Sequence, residues 1–427
     1  MPWLEFFSFA DPNIRYVTLG TILLACSSAV VGCFTFLRKR ALVGDAVAHS
    51  VLPGVCLAFI LSGQKNPVIL LIGAFVTGWL SLLCIDWITS RTKIKEDAAI
   101  GLVLSVFFGV GILLLTAIQQ QGNASQSGLD KFLFGKAASL VREDLITFSA
   151  VSFLLLITVW LFFKEFTLLC FDQDFARTIG LPVRRLEWLL TSLTVLAVVT
   201  GIQAVGVVLM AAMLITPAAA AKFWTDKLLI MIGLAVGFGA VSALTGAYIS
   251  FLAPAMPTGP WMVMVISLIA VSSFLFAPQK GIWSKMQQQK KNKRRITEEN
   301  LLKAFFHLGE KEKNFFVFRE SEEIMARRHI PRKTLIQSLK RLDREGYVVR
   351  KSQKWSLTKE GKDRGQRITR LHRLWELYLT EYLRIAPDHV HEDAETIEHI
   401  ITPELEQRIR EQLKYPEFDP HQSEIPN

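Results

Sequence analysis

What the sequence lacks narrows it first. No Gly-x-x-x-x-Gly-Lys-Ser/Thr run occurs, so the chain has no phosphate-cradling loop of its own, and any ATP-driven work must fall to another polypeptide. Cysteine is scarce. Of five, Cys26, Cys33, Cys56 and Cys84 lie inside apolar segments and Cys170 sits just after one, which leaves none in the charged second part of the chain. That excludes a disulfide framework and a cysteine-based zinc site there, and suits a reducing compartment. Residues 1–11 lack a basic stretch ahead of their apolar residues, so no cleavable signal peptide is expected.

Charge is also missing from long runs. The chain is 51% hydrophobic with a mean hydropathy of +0.33, too apolar for an ordinary soluble enzyme. The apolar runs fall at 14–37, 41–61, 67–88, 98–118, 145–163, 186–202, 205–221, 228–252 and 259–277, each near the length that crosses a bilayer. The seventh contains Gly206 and Pro217 and reads as broken or re-entrant, so about eight or nine transmembrane helices are expected. Basic residues of the short loops (Arg38 to Arg40, then Arg91, Lys93 and Lys95, then Lys164, Arg177, Arg184 and Arg185, then Lys222 and Lys227) recur on alternate sides of these runs. Placing them inside puts the N-terminus outside and everything after Pro278 in the cytoplasm. The loop 119–144, with Lys131, Lys136 and Arg142, is the exception. The formal charge of +10 belongs to basic loops and a basic tail.

The informative stretch runs from Arg38 to Gly54, Arg-Lys-Arg-Ala-Leu-Val-Gly-Asp-Ala-Val-Ala-His-Ser-Val-Leu-Pro-Gly. Asp45 and His49 are four apart and share a helix face. Ionisable groups at membrane depth are costly and normally face a bundle interior or a water-filled path. A carboxylate beside an imidazole suits Zn, Mn or Fe(II), and the alternative is a polar pair satisfied within the bundle. Pro53 and Gly54 then interrupt the helix, as in many transport sites. Gly44 to Gly54 resembles the signature of the ABC permeases for zinc, manganese and iron(II). The resemblance implies that Asp45 and His49 line the metal path. It also implies a dimer, either a homodimer or a pairing with a closely related permease. A separate ATP-binding subunit and an extracytoplasmic metal-binding protein would complete the importer, and this chain would bind no nucleotide. An amphipathic piece at 171–182, stopped by Gly180 and Pro182, reads as a short surface helix or a solvated connector. It resembles the family's coupling segment, which gives Asp172, Asp174, Ala176, Arg177 and Gly180 a role in docking the ATPase. The small residues of 214–221 suit close helix packing.

In the tail, 285–295 reads as a basic linker that touches anionic lipid. Periodicity predicts helices at 299–308, 322–328 and 332–345, then short strands at 347–349 and 354–357, with Gly346 as a stop and Thr358 as a cap. This order is that of a winged helix-turn-helix. Arg332, Lys333, Thr334, Gln337, Lys340 and Arg341 are its candidate contacts to operator DNA, and a protein-contact role is the alternative. Further on, His372 and Glu376 are four apart, as are Glu395 and His399, with Glu398 adjacent and His391 just before. Clustered imidazoles and carboxylates at helical spacing suit a divalent first-row metal. The stretch 296–409 resembles the diphtheria-toxin-repressor family of metalloregulators. The resemblance implies one site from His372, Glu376 and His391 and another from Glu395, Glu398 and His399. Glu395 stands where iron-type members carry Cys, a manganese-type feature, while His391 is an iron-type one. Asn300 and Lys303 stand where manganese-type members carry carboxylate ligands.

The expected architecture is an all-α polytopic membrane domain (1–284), a linker (285–295), a small α+β winged-helix domain (296–362) and a helical metal-binding and dimerisation segment (363–427). The expected function is the membrane permease subunit of an ABC importer for Mn, Fe or Zn, carrying a cytoplasmic metal-sensing domain. An ion-coupled secondary carrier would need further paired charges within its spans, and few are present. A membrane-tethered transcription regulator would need only one or two spans.

Overall fold

The computed structural model describes residues 2–40, 42–63, 66–120, 135, 140–253, 256–327, 330–384 and 401–426. It divides into two compact units, Met1–Lys285 and Met286–Asn427, and each is treated by itself.

The first unit is helical. Its elements are α1 (Pro2–Ser8), α2 (Pro12–Leu37), α3 (Val43–Ser50), α4 (Leu52–Ser62), α5 (Pro67–Arg91), α6 (Glu96–Gln120), α7 (Arg142–Leu161), α8 (Phe163–Phe171), α9 (Gln173–Thr178), α10 (Val183–Val205), α11 (Val207–Lys222), α12 (Leu228–Leu252) and α13 (Thr258–Phe276). The starts are written locally: Asp11 and Asn66 cap α2 and α5 by accepting from the amides of Asn13 and Val68, each with a proline in the first turn. Glycine sets the closest helix contacts. A Cβ at Gly32 would lie 1.8 Å from the Leu214 carbonyl oxygen, and one at Gly54 would lie 2.1 Å from that of Gly73. So α2 meets α11, and α4 meets α5, backbone to backbone. Gly54, expected to break the second span, instead lies inside α4. The break falls at Val51, because Pro53 has no N–H for the His49 carbonyl.

Among the described residues, eight helices, counting Val43–Ser62 as one, are long and apolar enough to cross a membrane. Helix α11 is shorter, but it runs beside α13 from end to end. A Cβ on Gly259 would touch Leu209, and the Trp224 Nε1–H donates to Ser273 Oγ at 2.9 Å. Contacts between helix ends sort onto two faces. On one, Arg38 meets Glu187, Arg40 meets Asp86 and Glu96, and Asp226 holds Lys222 and Lys280. On the other, Phe6 packs on Tyr248 and Phe251, and Gly135 and Gly259 approach the turn at Val205 and Gly206. The described residues therefore trace nine passes, with those basic loops on one face, as the charge pattern requires. The most apolar windows of α2 and Val43–Ser62 are 78% buried and that of α10 is 72%, against 22–33% for α5, α6, α7, α12 and α13. The former are the inner helices, and the latter present apolar side chains outward as a bilayer demands. Leu214, Ala218, Ala220 and Ala221 are buried, so the small-residue stretch serves packing.

In the second unit, α14 (Ile282–Glu312, which begins in the first unit), α15 (Ser321–Arg327) and α16 (Arg332–Arg344) lead to an antiparallel pair, β1 (Val348–Lys351) and β2 (Lys354–Leu357), then α17 (Lys359–Leu383) and α18 (Pro403–Gln412). The run 285–295, expected to be a linker, is helical, since its Lys, Arg and Gln residues are good helix formers. Gly346 at φ 80 ends α16. The pair registers Val348 against Leu357, and Thr358 caps α17 by accepting from Gly361 N–H at 3.0 Å. One core joins Leu302, Phe305, Ile324, Leu335, Leu339, Leu342, Trp355 and Leu357. Another joins Leu374, Ile409, Leu413 and Ile425.

Candidate functional site

Helix α3 is eight residues long and is walled by α5, α6, α10 and α11. Gly44 permits that enclosure, since a Cβ there would reach 3.0 Å from Leu214. Asp45 and His49 project one turn apart, with His49 Nε2 3.5 Å from Asp45 Oδ1 and side chains 23% (His49) and 46% (Asp45) exposed. That separation is an approach rather than a good hydrogen bond. The His49 ring stands edge-on to Phe108 of α6, centroids 5.5 Å apart, and its buried Nδ1 has no hydrogen-bond partner among the described residues. The helix thus presents a carboxylate and an imidazole together, held by the backbone and an aromatic wall rather than by a polar scaffold.

Of the five residues assigned to the segment after α8, Asp172 accepts from the Phe175 amide at 2.9 Å and so starts α9. Gly180, at φ 81, ends it. Asp174 and Arg177 pair outward at 3.2 Å. Ala176 is buried and has no face for a partner. Phe171, Phe175 and Ile179, which are not among the residues the resemblance implies, are exposed here. Large apolar groups recurring at i and i+4 on a basic face were the available signal.

In the second unit, His372 Nε2 lies 3.1 Å from Glu376 Oε1, with side chains 4% and 3% exposed. Both line a cavity of about 620 Å³ with His307, Glu310, Arg373, Asp419 and His421. Two of its carboxylates are already committed. Glu310 receives both terminal nitrogens of Arg373 at 2.9 and 2.7 Å. Burial alone would push the Glu310 carboxyl up, but Arg373 and His307 hold it at about 2. Asp419 accepts the amides of His421 and Ser423 at 2.8 Å and sits 3.6 Å from Arg373 Nε. His307 is pushed below its ordinary value by burial. An imidazole and a carboxylate such as His372 and Glu376 suit a first-row divalent ion, and no group of three or more such ligands forms among the described residues. His391, Glu395, Glu398 and His399 lie outside the described residues. Lys303, on the inner face of α14, is buried.

Arg332, Lys333, Thr334, Gln337 and Lys340 share an exposed face of α16. Arg332 also reaches Glu322 at 3.3 Å. Arg341 turns inward to Glu298 at 3.0 Å, where burial pushes the carboxyl up against the pull of that guanidinium.

Comparison with known proteins agrees with both halves. The ABC 3 transport family model matches residues 10–277. That of the iron dependent repressor metal binding and dimerisation domain matches 358–427. The manganese transport system membrane protein MntC of Bacillus subtilis (strain 168) is 45% identical over 385 residues, covering 90% of this chain and 87% of that protein. The zinc transport system membrane protein TroC of Treponema pallidum (strain Nichols) is 42% identical over 64% of this chain and 92% of its own length. Among solved structures, PsaBC from Streptococcus pneumoniae in complex with Fab matches at 34% identity with a TM-score of 0.58, covering 65% of this chain and 97% of that one.

Proposed function

The chain belongs to the ABC 3 transport family, and on that premise we propose that it is the multi-pass membrane permease of an importer whose cargo passes Asp45 and His49. The cargo is a divalent first-row metal, Mn, Fe(II) or Zn, and the second unit is a metal-sensing domain on the cytoplasmic side. The observation that carries this reading is the Asp45–His49 pair. Its two donors are packed in the bundle, turned the same way and still half-open.

Among the described residues, one chain offers two donors there, fewer than the four to six such ions prefer. A second copy brings another Asp45 and His49, so a pair of permeases completes a shell that neither holds alone. The ion trades its water for these groups and leaves without any covalent step. A separate ATPase subunit supplies the work and docks at 172–180, where Phe171, Phe175 and Ile179 supply apolar contact. An extracytoplasmic binding protein delivers the ion to the opposite face. In the second unit, His372 and Glu376 would hold a regulatory ion, with His391 as the resemblance implies. The exposed face of α16 suits phosphate contacts on operator DNA.

Metal uptake by cells carrying Asp45→Ala or His49→Ala at normal membrane abundance tests the reading. Uptake is expected to fall to background. Unchanged uptake would remove the pair from the path.

A further inference from the structure

We infer that Glu187 is a positioning residue that ties the segment 172–180 to the metal-bearing helix α3 through Arg38. The inference rests on the reading of 172–180 as the ATPase dock. It assigns the route by which movement there reaches Asp45 and His49.

A single carboxylate oxygen, Glu187 Oε1 in the second turn of α10, accepts from Arg38 Nη2 at 2.5 Å and from Gln173 Nε2 at 2.8 Å. Gln173 is the first residue of α9, the docking helix itself. Arg38 ends α2, five residues before Val43 opens α3. The Arg38 side chain is only 11% exposed, and an ion pair so placed resists separation because each half would leave a charge uncompensated. Nearby, the Cys170 thiol points at the Phe34 carbonyl, 3.7 Å away, at the same end of α2.

The turn between α2 and α3 is held on its far side as well. Lys39 is left-handed at φ 60 and closes α2. Arg40 reaches Asp86 of α5 at 3.4 Å and Glu96 of α6 at 3.8 Å, and α6 carries the Phe108 ring that stands against His49. The three cations 38–40 therefore form a pivot. Arg40 anchors it to the outer wall, and Arg38 links it to the dock. A shift of 172–180 is delivered through Glu187 to the near end of the pivot and turns α3 against α6. A second contact between α2 and α10, Thr35 to Thr194 at 3.2 Å, lies deeper and holds the two helices together when the charged link is cut.

The test uses the complete importer, this chain with its ATPase subunit and binding protein, in liposomes. Metal carried and ATP hydrolysed are measured together. For Glu187→Gln, ATP hydrolysis is expected to stay within about twofold while metal carried per ATP falls about tenfold, the size of a typical coupling energy. Arg38→Gln should do the same, and the double variant should be no worse than either single one, since both remove one link. An unchanged ratio for Glu187→Gln, or losses that multiply in the double variant, would overturn the inference. So would loss of the assembled complex in the single variants. Phe175→Asp and Ile179→Asp separately test the dock, because the ATPase subunit should no longer co-purify. Its retention there would refute the docking reading and reduce the Glu187 link to a local clamp, whatever the coupling ratio shows.

Discussion

Two carboxylate–imidazole pairs in this chain have the same helical spacing and opposite surroundings. Asp45 and His49 stand 3.5 Å apart, half-open, with the second imidazole nitrogen partnerless among the described residues. His372 and Glu376 stand 3.1 Å apart and almost wholly buried, beside an arginine fixed by Glu310 and Asp419. A metal-binding histidine normally donates its other N–H to an orienting group, which fixes the ring and strengthens the ligand. His49 has no such group among the described residues, and what sets the second pair apart is its burial in a cavity. A site that passes an ion on must let it go, and a site that reports a concentration must hold it. On the proposed function, local surroundings rather than ligand identity separate the two tasks.

The contrast can be broken most sharply at the first pair. Asp45→Asn keeps shape and removes charge, and metal uptake is expected to fall about a hundredfold, nearly as far as with alanine, since removing even an outer-shell group costs 10–100-fold. Near-normal uptake in tracer assays would mean that the carboxylate only packs.

At the second pair, His372→Ala in the full chain should leave uptake in place. It should weaken the metal-dependent protection of Lys359–Leu383 from hydrogen exchange, raising the Mn needed by at least about tenfold. Protection at unchanged Mn would move the regulatory ion elsewhere.

Lys303 sharpens the comparison further. A buried ammonium occupies a position that the repressor resemblance gives to a carboxylate ligand, so Lys303→Glu should add one bound metal per chain in equilibrium dialysis. No gain in stoichiometry would show that a missing ligand is not what limits that site.

The smallest effect is one of pH. The Glu310 carboxyl is held at about 2 against an ordinary 4.5, so its pairing with Arg373 contributes fully above pH 4.5 and is lost as pH falls through 2. Exchange protection of α17 should decline over that window, and Glu310→Gln should flatten the decline.

Much of this was legible in the sequence because it rests on local rules. Apolar runs near the bilayer length marked the helices, the alternation of Arg and Lys ordered the passes, and Gly346 and Thr358 framed the hairpin. The Asp45–His49 pair was legible because helical spacing alone puts both on one face. What escaped depended on packing between distant segments. Gly54 reads as a helix breaker, yet it serves the close approach of Gly73, and the basic run 285–295 reads as a linker although its Lys, Arg and Gln also favour a helix. The resemblance gives Ala176 a docking role, yet it faces inward. Arg341 looked free for DNA, and its partner Glu298 is more than forty residues away in sequence. The Arg38–Glu187–Gln173 link spans still larger separations, and no motif announces it.

On the proposed function, two copies of this chain hold one ion between their Asp45 and His49 side chains. Pulsed electron paramagnetic resonance of Mn²⁺ bound to the assembled permease, with nitrogen-15 in histidine, tests it directly. The account predicts coupling to two equivalent imidazole nitrogens, retained in His372→Ala and lost in His49→Ala. Coupling that survives His49→Ala would contradict it.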